Sequence, residues 1–136
     1  MFSPLNPFPD LLSLIFFAPF LLRVGLGTLL FLFGFIRLSG RRHVYLKRFR
    51  ERWPELGEVL LFSLGGVEIV VGLLFIVGFY TQIAALVSII MALTLIFIPN
   101  TKVVAGNSKP MYFLIFIVSL SLLISGAGAL ALDIPL

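Results

Sequence analysis

Four apolar runs, at about 11–36, 59–79, 82–98 and 111–130, fill most of this chain, and charge is concentrated in the segments between them. An α-helix rises about 1.5 Å per residue and the hydrocarbon core of a bilayer is about 30 Å thick, so about 20 apolar residues suffice to cross it. Composition agrees with lipid as the solvent. Of the 136 residues, 60% are hydrophobic and 12% charged, against about 25% charged in soluble domains. A water-soluble fold of this length has too little interior to hide that much apolar surface. The expected fold is therefore all-α: one integral-membrane domain over residues 1–136, arranged as a four-helix bundle.

The segment 37–58 is the polar exception. Leu46, Phe49, Trp53 and Leu56 recur in it at helical spacing, and Lys47, Arg48, Arg50 and Arg52 fall mostly between them. That pattern predicts a short amphipathic interfacial helix between spans one and two, ended near Pro54. Trp53 suits the headgroup level. With Arg41 and Arg42, these basic residues and Trp53 form a surface for lipid or partner contact. His43 lies among them and reads as a solvated loop residue. Spans two and three are separated only by 78–82 and form a tight hairpin; Pro99-Asn100 ends the third span, and Gly106-Asn107-Ser108 marks a turn before the fourth.

Orientation comes from the basic residues. Arg37, Arg41, Arg42, Lys47, Arg48, Arg50 and Arg52 lie between spans one and two; Lys102 and Lys109 lie between spans three and four. With four spans those two loops share a side. The positive-inside rule makes loops 37–58 and 99–110 cytoplasmic, with both termini outside, in a multi-pass protein of the cell (plasma) membrane. The start is not that of a secretory signal peptide. No basic residue precedes the first apolar run, and Asp10 sits at its edge, so the first helix is expected to stay in the mature protein. The net charge of +4 is a topology signal, not a nucleic-acid footprint.

Several chemistries are excluded. The sequence has no cysteine and one histidine, so thiolate metal sites, iron–sulfur clusters, cysteine nucleophiles and a multi-histidine site within the chain are ruled out. No phosphate loop and no nucleophile–base pair is visible; Gly25-x-Gly27 and Gly126-x-Gly128 lack a βαβ context. No catalytic residue, metal site or cofactor of the chain's own is expected.

Two ionisable residues lie inside the apolar runs, Arg23 and Glu68. A charge near mid-bilayer costs about 2.5–3.5 kcal/mol even on insertion scales, so each needs a partner. Arg23 lies roughly 10 Å and Glu68 roughly 16 Å from the outer ends of their spans, a difference an arginine side chain covers. Arg23 and Glu68 are therefore expected to pair as an intramembrane polar site. Gly27 and Gly34 share a face with Arg23 and Arg37; Gly65 and Gly72 share one with Glu68. These four glycines are candidates for close helix packing. The pair reads equally as a register-fixing ion pair and as a site for a substrate, a quinone headgroup or a proton.

Taken together, several segments resemble the DoxX family of small membrane proteins. They are Arg23-Val24-Gly25-Leu26-Gly27 followed by Phe31 to Arg37, Gly66-Val67-Glu68 to Leu74 with Gly78, Thr81 and Ala84-Ala85, and Leu122 to Gly128 with Leu132-Asp133. The loop 39–58 is more basic than the family pattern. The resemblance implies a membrane subunit or partner of an oxidoreductase, quinone-linked or stress-related complex, with any quinone contact made at the polar pair. Two other readings stay open: a small transporter or lipophilic-ligand binder working as an oligomer, and a structural or assembly protein.

Overall fold

The structure is a computed structural model of the chain, and it describes residues 17–99, 106–126 and 128. Among them are five α-helices and no strand: α1 (Phe17–Phe35), α2 (Arg42–Arg52), α3 (Gly57–Val77), α4 (Thr81–Phe97) and α5 (Lys109–Ser125). A π-helical turn, Ile36–Gly40, continues α1. Phe17–Gly40 and α3 are long and apolar enough to cross a membrane, while α4 and α5 are shorter apolar helices of 17 residues. Outward-facing Leu21, Val70, Ile83, Ile90, Phe97 and Ile124 are each more than half exposed, a surface that would aggregate in water.

The helices pack as two close pairs. α1 lies against α3 and α4 against α5; looser seams join α3 to α4 and α1 to α5. Glycine sets the first pair. Gly27 and Gly34 are seven residues apart on α1, Gly65 and Gly72 seven apart on α3, so each set lies on one face two turns apart. Antiparallel packing brings Gly27 to Gly72 and Gly34 to Gly65. A Cβ at Gly27 would lie 2.7 Å from the Gly72 carbonyl oxygen, and one at Gly34 would lie 2.6 Å from that of Gly65. Backbones this close gain dispersion contacts that bulkier residues would prevent. In the second pair α4 carries Ala84, Ala85, Ser88 and Ala92, all fully buried. The main core joins Leu26, Leu30, Val71, Phe75, Met91, Leu95, Ile115 and Leu122 across all four apolar helices.

Boundaries differ from the sequence expectation where backbone chemistry intervenes. α3 stops at Val77 because Gly78 takes a left-handed cap (φ 74°) whose N–H bonds the Leu74 carbonyl. α5 begins at Lys109 with proline in its first turn, where the missing N–H costs nothing. It ends at Ser125, short of the expected 130, because Gly126 turns out of the helix at φ 75°. α2 ends at Arg52, one residue before the Trp53-Pro54 step that disfavours helix. Leu56 consequently falls beyond α2 and is exposed; Phe49 is the buried anchor, packed with Leu61, Tyr45, Leu46 and Trp53. Residues 11–16 of the first expected span, Asp10, Lys102 in the 99–110 loop, and the Leu132-Asp133 motif lie outside the described residues.

Candidate functional site

Glu68 sits midway along α3 with no exposed surface. Its partner is Arg37, not Arg23, which corrects the expected pairing. Arg37 Nη1 donates to Glu68 Oε2 at 2.5 Å, and the two side chains are 2% and 0% exposed. The reason is directional. Helical side chains lean toward the N-terminus of their own helix. α1 and α3 are antiparallel, so Arg37 leans back along α1 while Glu68 leans along α3 toward it, and the two converge. Arg23, on the same helix, leans the same way as Arg37, but it starts beyond Glu68, so its lean carries it away toward the other end of the pair. A depth estimate from the outer ends of the helices omits this lean and selects the wrong arginine.

Local backbone also aims Arg37. It lies in the π-helical turn, closed by the Arg41 N–H bonding the Ile36 carbonyl at 2.9 Å. The extra residue in that turn changes the angular position of its side chains relative to a regular α-helix, a device common at functional positions. Arg37 is thereby buried, 1% exposed, although by sequence it stands at the edge of the basic loop.

A third helix completes the centre. Arg37 Nη2 donates to the Tyr112 hydroxyl at 3.4 Å, and Asn107 Nδ2 donates to the same oxygen at 3.5 Å. Tyr112 is fully buried near the start of α5. The Tyr45 ring of α2 lies 5.6 Å from the Arg37 guanidinium carbon. The centre thus draws on α1, α2, α3 and α5. Among the described residues, the second Glu68 oxygen, Oε1, is buried and has no hydrogen-bond partner. The hydroxyls of Ser88 on α4 and Ser119 on α5 are likewise buried and unpartnered among the described residues.

Arg23 serves a different place. It is fully buried, its guanidinium carbon stands 5.5 Å from the centre of the Phe20 ring, and a Cβ on Gly78 would lie 2.5 Å from that carbon. This position is the C-terminal end of α3, where free carbonyls and the negative end of the helix dipole favour a cation. The two buried arginines therefore occupy opposite ends of the α1–α3 pair. The basic surface of α2 is mostly exposed. Arg42 and Arg50 pair with Glu58 at 3.6 and 3.0 Å, and the Arg52 guanidinium stands 5.9 Å from the Trp53 ring centre. His43 is exposed. Among the described residues no group of three or more His, Cys, Asp or Glu side chains could hold a metal ion.

Tyr112 and Asn107 are the members of the centre that sequence reasoning missed. The available signal was weak: a hydroxyl-bearing aromatic opening an otherwise largely apolar span, just after a polar turn.

Fold and site together define a small all-helical protein with apolar outer faces, two helices able to cross a membrane, and a polar centre shut inside. The DoxX family model matches residues 18–101, more than half the chain, and the chain belongs to that family of membrane proteins. No curated protein and no solved structure matches it.

Proposed function

We propose that this chain is a multi-pass membrane subunit, its four apolar helices forming a bundle across the lipid, which serves an oxidoreductase or stress-related partner and holds a polar ligand group at the Arg37–Glu68–Tyr112 centre. The observation that carries the reading is Glu68 Oε1, fully buried with no hydrogen-bond partner among the described residues. An unsatisfied buried acceptor costs about 1–3 kcal/mol, and more when charged. A ligand hydroxyl donating to Oε1 removes that cost. Arg37 and the Tyr112 hydroxyl supply donor groups beside it. A quinone-class headgroup fits this set, since its carbonyl form needs a donor and its phenolic form an acceptor. Such a group supplies the redox chemistry; the chain's residues orient it and keep water away.

The orientation belongs to the same reading. α2, the start of α3 and the start of α5 lie at one end of the bundle, and α2 there carries Arg42, Lys47, Arg48, Arg50 and Arg52. We place that end in the cytoplasm of a plasma-membrane protein, with α2 lying in the interface. A reporter fused after Leu136 is expected to be active only outside the cytoplasm.

Purification from native membrane with identification of bound proteins and small molecules tests the function. The reading expects a copurifying enzyme or a quinone-class molecule with the native chain, and its loss from Glu68→Gln when equal amounts of folded chain are compared. A lone protein with neither overturns it. A Glu68→Gln chain that keeps both removes Glu68 from the site.

A further inference from the structure

Each of the middle helices spends its small-residue face on a different partner. α3 turns its glycines to α1, and α4, whose alanines are fully buried, packs most closely on α5. The α3–α4 seam is left to larger, poorly interlocking side chains, and it opens into an apolar cleft of about 380 Å³. That volume lies within the range of ligand pockets, about 300–1,000 Å³. Leu60 and Val67 of α3, Val87 of α4 and Ile98 just past its end mark its extent; Phe49 of α2 and Trp53 just past it line one end. Measured along α4, Val87 to Ile98 spans about 16 Å, close to half of a ~30 Å hydrocarbon core. The cleft therefore runs from the α2 surface to just past the middle of the bundle, the depth of one leaflet.

Charge identifies the occupant's other end. At the α2 end the Arg52 guanidinium stands over Trp53, which lines the cleft, and Arg48 lies one turn before Arg52 on the same face of α2. Lys47 and Arg50 instead border a separate hollow with His43, Leu46 and Glu51. Arg50 is engaged by Glu58. Among the described residues neither Lys47, Arg48 nor Arg52 forms an ion pair with a carboxylate. An apolar slot one leaflet deep below a basic rim is complementary to an amphiphile with one hydrocarbon chain in the slot and a negative head above it.

We propose that the α3–α4 cleft seats one acyl chain of an anionic glycerophospholipid from the leaflet facing α2, with its phosphate held by Arg52 and Arg48. The proposal rests on the membrane reading above but not on the Glu68 centre, which contributes nothing to the cleft. A lipid fixed here would fill the loosest seam of the bundle and hold α2 against it. It would thereby give the two helix pairs a set spacing that their own side chains do not provide.

The test is native mass spectrometry of the full chain released from nanodiscs of equal parts phosphatidylglycerol and phosphatidylcholine. The expected result is one retained phosphatidylglycerol per chain, at least tenfold preferred over phosphatidylcholine. Val87→Trp, which fills the slot from α4, is expected to abolish retention. Arg52→Gln is expected to cut the preference severalfold while leaving the helical circular dichroism unchanged. Glu68→Gln, compared at equal amounts of folded chain, is expected to retain lipid like the native chain, which separates this proposal from the ligand reading of the polar centre. Equal retention of both lipids, no retained lipid, or a Val87→Trp chain that retains phosphatidylglycerol overturns the proposal. So does a retained second copy of the chain that is lost on Val87→Trp. A chain that resists carbonate extraction from membranes yet holds no phosphatidylglycerol overturns the cleft and leaves the membrane reading standing.

Discussion

Adding one methyl group at Gly34 probes the α1–α3 pair at one of its tightest points. A Cβ there would lie 2.6 Å from the Gly65 carbonyl oxygen, 2.7 Å from Ile69 Cγ1 and 3.0 Å from Glu68 Cβ. Ordinary contact begins near 3.4 Å, so the helices must part by about 0.8 Å (3.4 minus 2.6), because a backbone oxygen cannot swing aside. Overpacking of this kind costs about 1–3 kcal/mol. It also pulls α1 away from the carboxylate that Arg37 must reach. Gly25 and Gly66 lie on the same two helices with nothing within 4 Å of an added Cβ. There the change to alanine is expected to be neutral or stabilising by up to about 1 kcal/mol, since alanine is the better helix former. The assay is reversible unfolding in mixed micelles followed by circular dichroism. Gly34→Ala is expected to lose about 1–3 kcal/mol and Gly25→Ala none. If Gly34→Ala is no worse than Gly25→Ala, the close-approach account of α1 and α3 is refuted.

Other positions give further expectations. Gly78→Ala is expected to destabilise, because its left-handed φ of 74° disfavours a side chain and the new Cβ would meet the Arg23 guanidinium; Gly66→Ala in the same micelles is the control. Tyr112→Phe is expected to cost about 1.5–3 kcal/mol, the worth of a hydrogen bond to a charged group, and no measurable loss would remove Tyr112 from the centre. Arg23→Gln is expected to lower stability without changing whatever small molecule copurifies, because Arg23 sits at the far end of α3 from the Arg37–Tyr112 cluster; a lost ligand would contradict that separation.

The sequence is most legible where apolar patterning follows a simple rule. Apolar runs mark α1, α3, α4 and α5, and the glycines seven apart mark the faces of α1 and α3 that meet. The candidate site was half legible. Glu68 stands out because a carboxylate in an apolar run needs a partner, and the need is visible in one dimension. Which arginine answers it is a three-dimensional question. Arg37 looks like a loop residue because it borders six further basic positions, and the π-helical turn that buries it has no periodic signature. Tyr112 and Asn107 join the centre from a helix remote in sequence, and nothing local in the chain ties them to residue 68. The end of α5 was misjudged for a different reason: apolar composition continues past Ser125, but the backbone angle at Gly126 does not.

A pair of double-mutant cycles tests the central claim, that Glu68 is held by Arg37 and not by Arg23. Removing one member of a buried ion pair costs about 3–5 kcal/mol because it strands the other charge, whereas removing both is close to neutral. In the micelle unfolding assay, Arg37→Met and Glu68→Leu are each expected to destabilise strongly. Their combination is expected to be milder than their sum by about 3 kcal/mol. The parallel cycle of Arg23→Met with Glu68→Leu is expected to be additive within about 0.5 kcal/mol, as for separated sites. Additivity for Arg37 together with coupling for Arg23 would contradict the account.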